Sequence, residues 1–128
     1  MGMGMSFGIT AETGNNIVTD GLVFYVDAAY KKSYPGSGTT WTDIVGGVEG
    51  TLTNGASFST VGGGCIDFDG SNDYCAFTLP AMGADSFTMD LWVKQDTFTN
   101  WQTWVSTSRS STGFNIGTDA DGDVVFYD

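Results

Sequence analysis

Between Gly21 and Tyr74 the chain reads GLVFYVDAAYKKSYPGSGTTWTDIVGGVEGTLTNGASFSTVGGGCIDFDGSNDY, an apolar run followed by short segments that Gly, Pro, Asn, Asp and Ser keep interrupting. Short runs closed by turn formers suit strands. Composition points the same way: Gly is the most frequent residue at 19, all but two of the 15 acids are Asp, and Thr and aromatic residues are plentiful. These residues favour turns and strands over helices. A chain of 128 residues has room for one all-β domain that buries roughly two thirds of its unfolded surface.

Along the chain, Met1, Met3, Met5, Phe7 and Ile9 alternate with Gly2, Gly4, Ser6, Gly8 and Thr10. That is a strand period with one apolar edge, although a loose terminus fits the same residues. A polar hinge follows at residues 11–20. Leu22 to Val26 is expected to be a strand, and Lys31 to Thr40, with Pro35, Gly36 and Gly38, a surface loop carrying half of the positive charge. Asn54-Gly55 supplies the two positive φ angles of a type I′ turn, so Thr51–Thr53 and Ala56–Phe58 are predicted to form a hairpin. The FDGSNDY segment is read as a second hairpin. In the later strand Phe87, Met89, Leu91 and Val93 alternate with Thr88, Asp90, Trp92 and Lys94, which gives it one core face. Gly113–Gly117 and Val124–Tyr127 form a last hairpin around residues 119–123.

Five segments in this order carry a family resemblance: GLVFYVDA at 21–28, WTD at 41–43, GTLTNGASF at 50–58, FDGSNDY at 68–74 and SFTMDLWVK at 86–94. Together they resemble the laminin-G-like, concanavalin-A-like jelly roll. The resemblance implies an antiparallel jelly-roll β-sandwich over residues 21–128, preceded by an extended arm and hinge over 1–20. The text stops at VVFYD as if within a strand, so a shortened jelly roll or a longer chain cut at Asp128 is expected. In that family Trp41 of the WTD landmark packs. The VDAAYKKSYPGSGTTWTD stretch is similar to proteins of tailed-phage particles. It implies a non-enzymatic virion structural protein at the particle surface, of the capsid decoration or cement type. Its partners would be a major capsid protein or tail and baseplate proteins, with homo-oligomers in the particle. The alternative implied is a carbohydrate-binding adhesin or tail-fibre module that meets the host surface.

Charge narrows the partners further. Four basic residues, Lys31, Lys32, Lys94 and Arg109, stand against 15 acids, for a formal net charge of −11. Such a surface repels nucleic-acid phosphates and anionic lipids. No basic start precedes an apolar block and no apolar run is long enough to span a bilayer, so a soluble chain without a secretion signal is expected. Cys65 and Cys75 flank FDGSNDY: a hairpin centred on Gly70 would place them opposite each other, and one pairing Phe68 with Tyr74 would offset them by two. The spacing permits a bridge without requiring it, and a reducing cytosol favours free thiols.

With no histidine in the chain, Ser-His-Asp and Cys-His arrangements are excluded, and two cysteines alone make a poor zinc site. Glycoside hydrolases work through paired carboxylates, but Glu12 lies in the hinge and Glu49 in a turn. Asp67 and Asp69 share a strand face that the turn they open already explains. No enzyme and no required cofactor are therefore expected. Calcium is the candidate ion: Asp119, Asp121 and Asp123 alternate oxygen ligands as a calcium loop begins, but the glycine comes too early and no bidentate Glu follows. Hairpin-turn chemistry is the favoured explanation of that run. Trp92, Trp101 and Trp104 are candidate sugar-stacking rings, weighed against the commoner role of large aromatics in cores and interfaces. Met1, Met3, Met5, Phe7 and Ile9 are the candidate assembly interface, as a strand added to a neighbour's sheet.

Overall fold

The interrupted apolar runs build short ladders. The computed structural model describes residues 17–79, 86–98, 101–107 and 113–127. The arm residues Met1, Met3, Met5, Phe7 and Ile9 lie outside them. Among the described residues the chain is all-β, with strands β1 (Thr40–Thr42), β2 (Glu49–Thr53), β3 (Ser57–Ser59), β4 (Cys65–Asp67), β5 (Tyr74–Ala76), β6 (Gln102–Ser106), β7 (Asn115–Thr118) and β8 (Val124–Tyr127). A 3-10 turn, Val61–Gly63, leads into β4. The strands form three antiparallel sheets of order β1-β2-β5, β3-β4 and β6-β7-β8. The chain divides into two compact units, residues 1–82 and 83–128.

In the first unit β2 is the central strand. Trp41 faces Gly50 across one ladder and Leu52 faces Cys75 across the other. Because strand side chains alternate, Trp41, Leu52 and Cys75 share one face, and Thr40, Thr51 and Ala76 the opposite one. Gly50 is required on the first face: the Phe77 ring lies where a Cβ would stand. Phe77 in turn meets Phe24 edge-on at 5.0 Å and Trp41 at 6.2 Å between centroids. Leu52 is 4 % exposed. Burial pushes the Cys75 thiol up to about 11.

Several expectations are corrected here. Asn54 and Gly55 do take positive φ, 65° and 120°, but the strands they join do not pair with each other. β2 pairs with β1 and β5, while β3 pairs with β4, Phe58 facing Ile66. The turn is therefore a corner between two sheets, anchored by Asn54 Nδ2 donating to the Asn72 carbonyl at 2.8 Å. FDGSNDY is likewise a crossover from β4 to β5. Its loop closes on Asp69 Oδ1, which accepts the Ser71 and Asn72 amides at 2.8 and 3.3 Å. Neither hairpin register for the cysteines occurs, since Cys65 faces Ser59 and Cys75 faces Leu52 in separate sheets. Both are free thiols.

Leu22–Val26 forms no ladder. Its backbone is bound by the segment after β1: Tyr25 N–H donates to Asp43 Oδ1 at 2.8 Å, and Ile44 N–H to the Tyr25 carbonyl at 3.0 Å. Nor is Lys31–Thr40 simply a surface loop, because Ser33 and Tyr34 within it are 1 % and 2 % exposed. Ser33 Oγ accepts the Asp27 amide at 3.0 Å and donates to the Thr42 carbonyl at 2.7 Å. Tyr34 packs its ring 5.6 Å from Phe58 and sends its hydroxyl to the Gly38 carbonyl at 2.8 Å. A buried polar group needs such partners, and this loop finds them in the chain around it.

Asp43, from the WTD landmark, is the polar centre of the unit at 1 % exposed. Oδ1 accepts the Tyr25 amide and the Val45 amide at 3.1 Å, and Oδ2 accepts Gly46 N–H at 2.7 Å. Burial by itself would raise the pKa of this carboxyl, but hydrogen bonding to the backbone of Tyr25, Val45, Gly46 and Val48 outweighs it and holds the group below the usual carboxylate value. Amide donors favour the charged form.

In the second unit the expected last hairpin is present, with Thr118 facing Val124 and Asn115 facing Tyr127. The predicted strand over 86–94 is absent: Phe87–Lys94 carries no ladder. Gly117 is needed because a Cβ there would collide with the Gln102 carbonyl on β6. Phe114, 8 % exposed, stacks between Phe87 at 5.1 Å and Phe126 at 5.6 Å.

Candidate functional site

The three candidate tryptophans have different surroundings. The β6–β7 register slips between Thr103 and Val105, leaving Trp104 as the extra residue of a bulge. Bulges re-aim the side chain they carry. Trp104 is half-buried, and its indole N–H donates to Gln95 Oε1 at 2.8 Å. Gln95 also donates to Thr97 O at 2.9 Å and exchanges bonds with the hydroxyl of Thr118, itself 1 % exposed. The indole nitrogen of this candidate ring is thus tied into the Gln95–Thr118 network. Trp92 is 98 % exposed and Trp101 63 % exposed. Trp41 packs as expected on Phe77, with its indole nitrogen buried and lacking a hydrogen bond.

The run Asp119, Asp121, Asp123 forms the β7–β8 turn, and its members do different work. Asp119 Oδ1 accepts the amides of Asp121 and Asp123, both at 3.0 Å, and the Asp119 amide reaches the Asp123 carbonyl at 3.0 Å. One carboxylate thus closes the turn on itself. The side chains of Asp121 and Asp123 are exposed and have no hydrogen bond or ion pair among the described residues. Among those residues no group of three or more His, Cys, Asp or Glu side chains is placed to hold a metal ion. The alternating spacing does not produce convergence because the first carboxylate turns inward to the backbone.

Against this turn lies a ring that sequence reasoning missed. Gly122 has φ 88°, and a Cβ there would stand 3.2 Å from Cγ and Cδ1 of Phe98. The Phe98 ring therefore rests on the turn backbone while remaining 53 % exposed. Trp101 immediately precedes β6, whose first residue, Gln102, faces Thr118 at the entry to the same turn. Phe98 and the exposed carboxylates of Asp121 and Asp123 thus share the β7–β8 turn, and Trp101 leads into the strand that pairs with the entry to that turn. Gly122 inside the Asp run was the only sequence signal, since a glycine marks either a positive φ or a close approach, and here it serves both.

No helix among the described residues is long and apolar enough to cross a membrane. No protein-family model, curated protein or solved structure matches this chain, so its functional reading rests on these residues and their geometry.

Proposed function

We propose that this chain is a non-enzymatic structural component of a phage particle, a decoration or cement-type protein whose sheets belong to a laminin-G-like jelly-roll sandwich. One observation carries the reading. Among the described residues the buried apolar set is Ala28, Tyr34, Leu52 and Phe114, whereas Val18, Val23, Trp92, Trp101, Val124 and Phe126 are each more than 60 % exposed. Val124 and Phe126, two apart on β8, lie on one face of that strand, and adjoining exposed apolar side chains are the kind that other molecules cover. A component held in an assembly draws part of its stability from its neighbours. The acidic balance, −11 overall, suits the solvent side of a particle and argues against nucleic-acid contact. The arm, residues 1–10, and one sheet face would hold the lattice, and catalysis has no part in this reading.

The test is reconstitution. Purified chain is mixed with particles lacking it, and occupancy is read by mass spectrometry and by locating the chain in a particle reconstruction. Stoichiometric binding at a defined lattice position is expected, and absence from every particle would overturn the reading. The second reading, a glycan-binding adhesin, is favoured by one residue: Trp92, 98 % exposed, offers its ring face to a sugar. A glycan array on which binding disappears with Trp92→Ala would favour it instead.

A further inference from the structure

We propose that the aromatic and acidic end of the β6-β7-β8 sheet is a docking surface for a basic, arginine-bearing segment of a partner protein. The inference rests on the attachment reading and names where attachment occurs and through what chemistry. The platform consists of Phe98, seated on Gly122 and 53 % exposed, and Trp101, 63 % exposed beside the first residue of β6. The exposed residues Asp121 and Asp123 flank Gly122 in the same turn.

Charge complementarity selects the occupant. Lys94, the one cation among the described residues of this unit, is already paired with Asp96 at 2.8 Å. The turn carboxylates are left without a counter-charge among the described residues, and Asp119 is consumed by the turn's own amides. A planar guanidinium satisfies both halves of the surface, since it stacks on an aromatic face and donates a two-pronged hydrogen bond to a carboxylate. A neutral pyranose would use the rings and leave the charge unmatched. An ammonium would match the charge with weaker stacking and no fork.

The test uses the full chain and two blocked peptides, Gly-Arg-Gly-Arg-Gly and Gly-Lys-Gly-Lys-Gly, with maltohexaose as a neutral glycan, followed by tryptophan fluorescence and calorimetry. Arginine peptide should bind more tightly than lysine peptide and lose affinity as salt rises. Trp101→Ala and Phe98→Ala should each weaken binding by about threefold or more. Asp121→Asn with Asp123→Asn should weaken it further. These asparagines leave the bonds accepted by Asp119 in place, and a thermal melt of each variant checks that the turn is kept. The control is Asp20→Asn with Glu49→Gln, which removes the same charge elsewhere and should leave affinity unchanged. Equal losses in both double variants would overturn the proposal, because net charge alone would then explain binding. So would glycan binding that Trp101→Ala abolishes without any affinity for arginine. Particle occupancy separates the two levels: normal occupancy of the Trp101→Ala, Asp121→Asn, Asp123→Asn variant overturns this surface and keeps the attachment reading. Wild-type chain that never joins a particle overturns the attachment reading itself.

Discussion

Asp43 and Asp119 are both carboxylates that accept backbone amides, and they hold their regions together in opposite ways. Asp43 is 1 % exposed and reaches 18 residues back to Tyr25 as well as forward to Val45 and Gly46. Asp119 accepts amides only two and four residues ahead, in an exposed turn. A long-range acceptor fixes the path of two chain segments, and its loss strands buried donors. A local acceptor shapes one turn, and water can replace it. The first region therefore depends on a single side chain, while the second leaves acidic and aromatic groups exposed at its surface.

The largest expected effect breaks the first half of this comparison. Asp43→Ala leaves the Tyr25, Val45 and Gly46 amides without their acceptor, at a cost on the order of 3 kcal/mol or more, read by denaturant unfolding of the first unit. Acid should do the same reversibly. The folded carboxyl sits below its ordinary value, so its stabilisation is complete above the unfolded pKa, about 4, and is lost as pH falls through the folded value. Thermal melts should decline below that point, and a folded Asp43→Asn variant should show a shallower decline. An unchanged acid limb would dismiss Asp43 as the polar centre.

The next effect is kinetic. With the Cys75 thiol pushed up to about 11 by burial, its alkylation near pH 8 should be about a hundredfold slower in folded protein than in denatured protein. Site-resolved mass spectrometry reads that rate, and equally fast labelling would place Cys75 outside the core face. A smaller effect comes from the second unit: Gly117→Ala drives a methyl into the Gln102 carbonyl and should cost about 1–3 kcal/mol, with amide exchange rising in β6 and β7. Smallest is Asp119→Ala, expected at about 1 kcal/mol. If it matched Asp43→Ala, the distinction between long-range and local acceptors would fail. The chain should also release no sugar from β-glucan, alginate, agar or peptidoglycan. Activity removed by Asp67→Asn would reverse the non-enzymatic reading.

Turn chemistry and strand class were legible from the amino acids alone, because they depend on local backbone preferences. The positive φ at Asn54 and Gly55 and the β7–β8 hairpin about Asp119–Asp123 were each readable from residues close in sequence. What tertiary structure decided was partnership. The apolar run at 22–26 and the alternation at 86–94 read as strands, but alternation reports which side of a segment is apolar and not whether an edge is open to pair with it. The corner at Asn54-Gly55 sends β2 and β3 to different sheets because Cys75, well beyond Leu52 in the chain, and Ile66, past the 3-10 turn, supply the competing ladders. The burial of Ser33, Tyr34 and Asp43 followed from acceptors and donors contributed by other loops, and the seat of Phe98 on Gly122 from a bare backbone 24 residues away. Such contacts join residues that no local preference relates, so only the folded chain could bring them together.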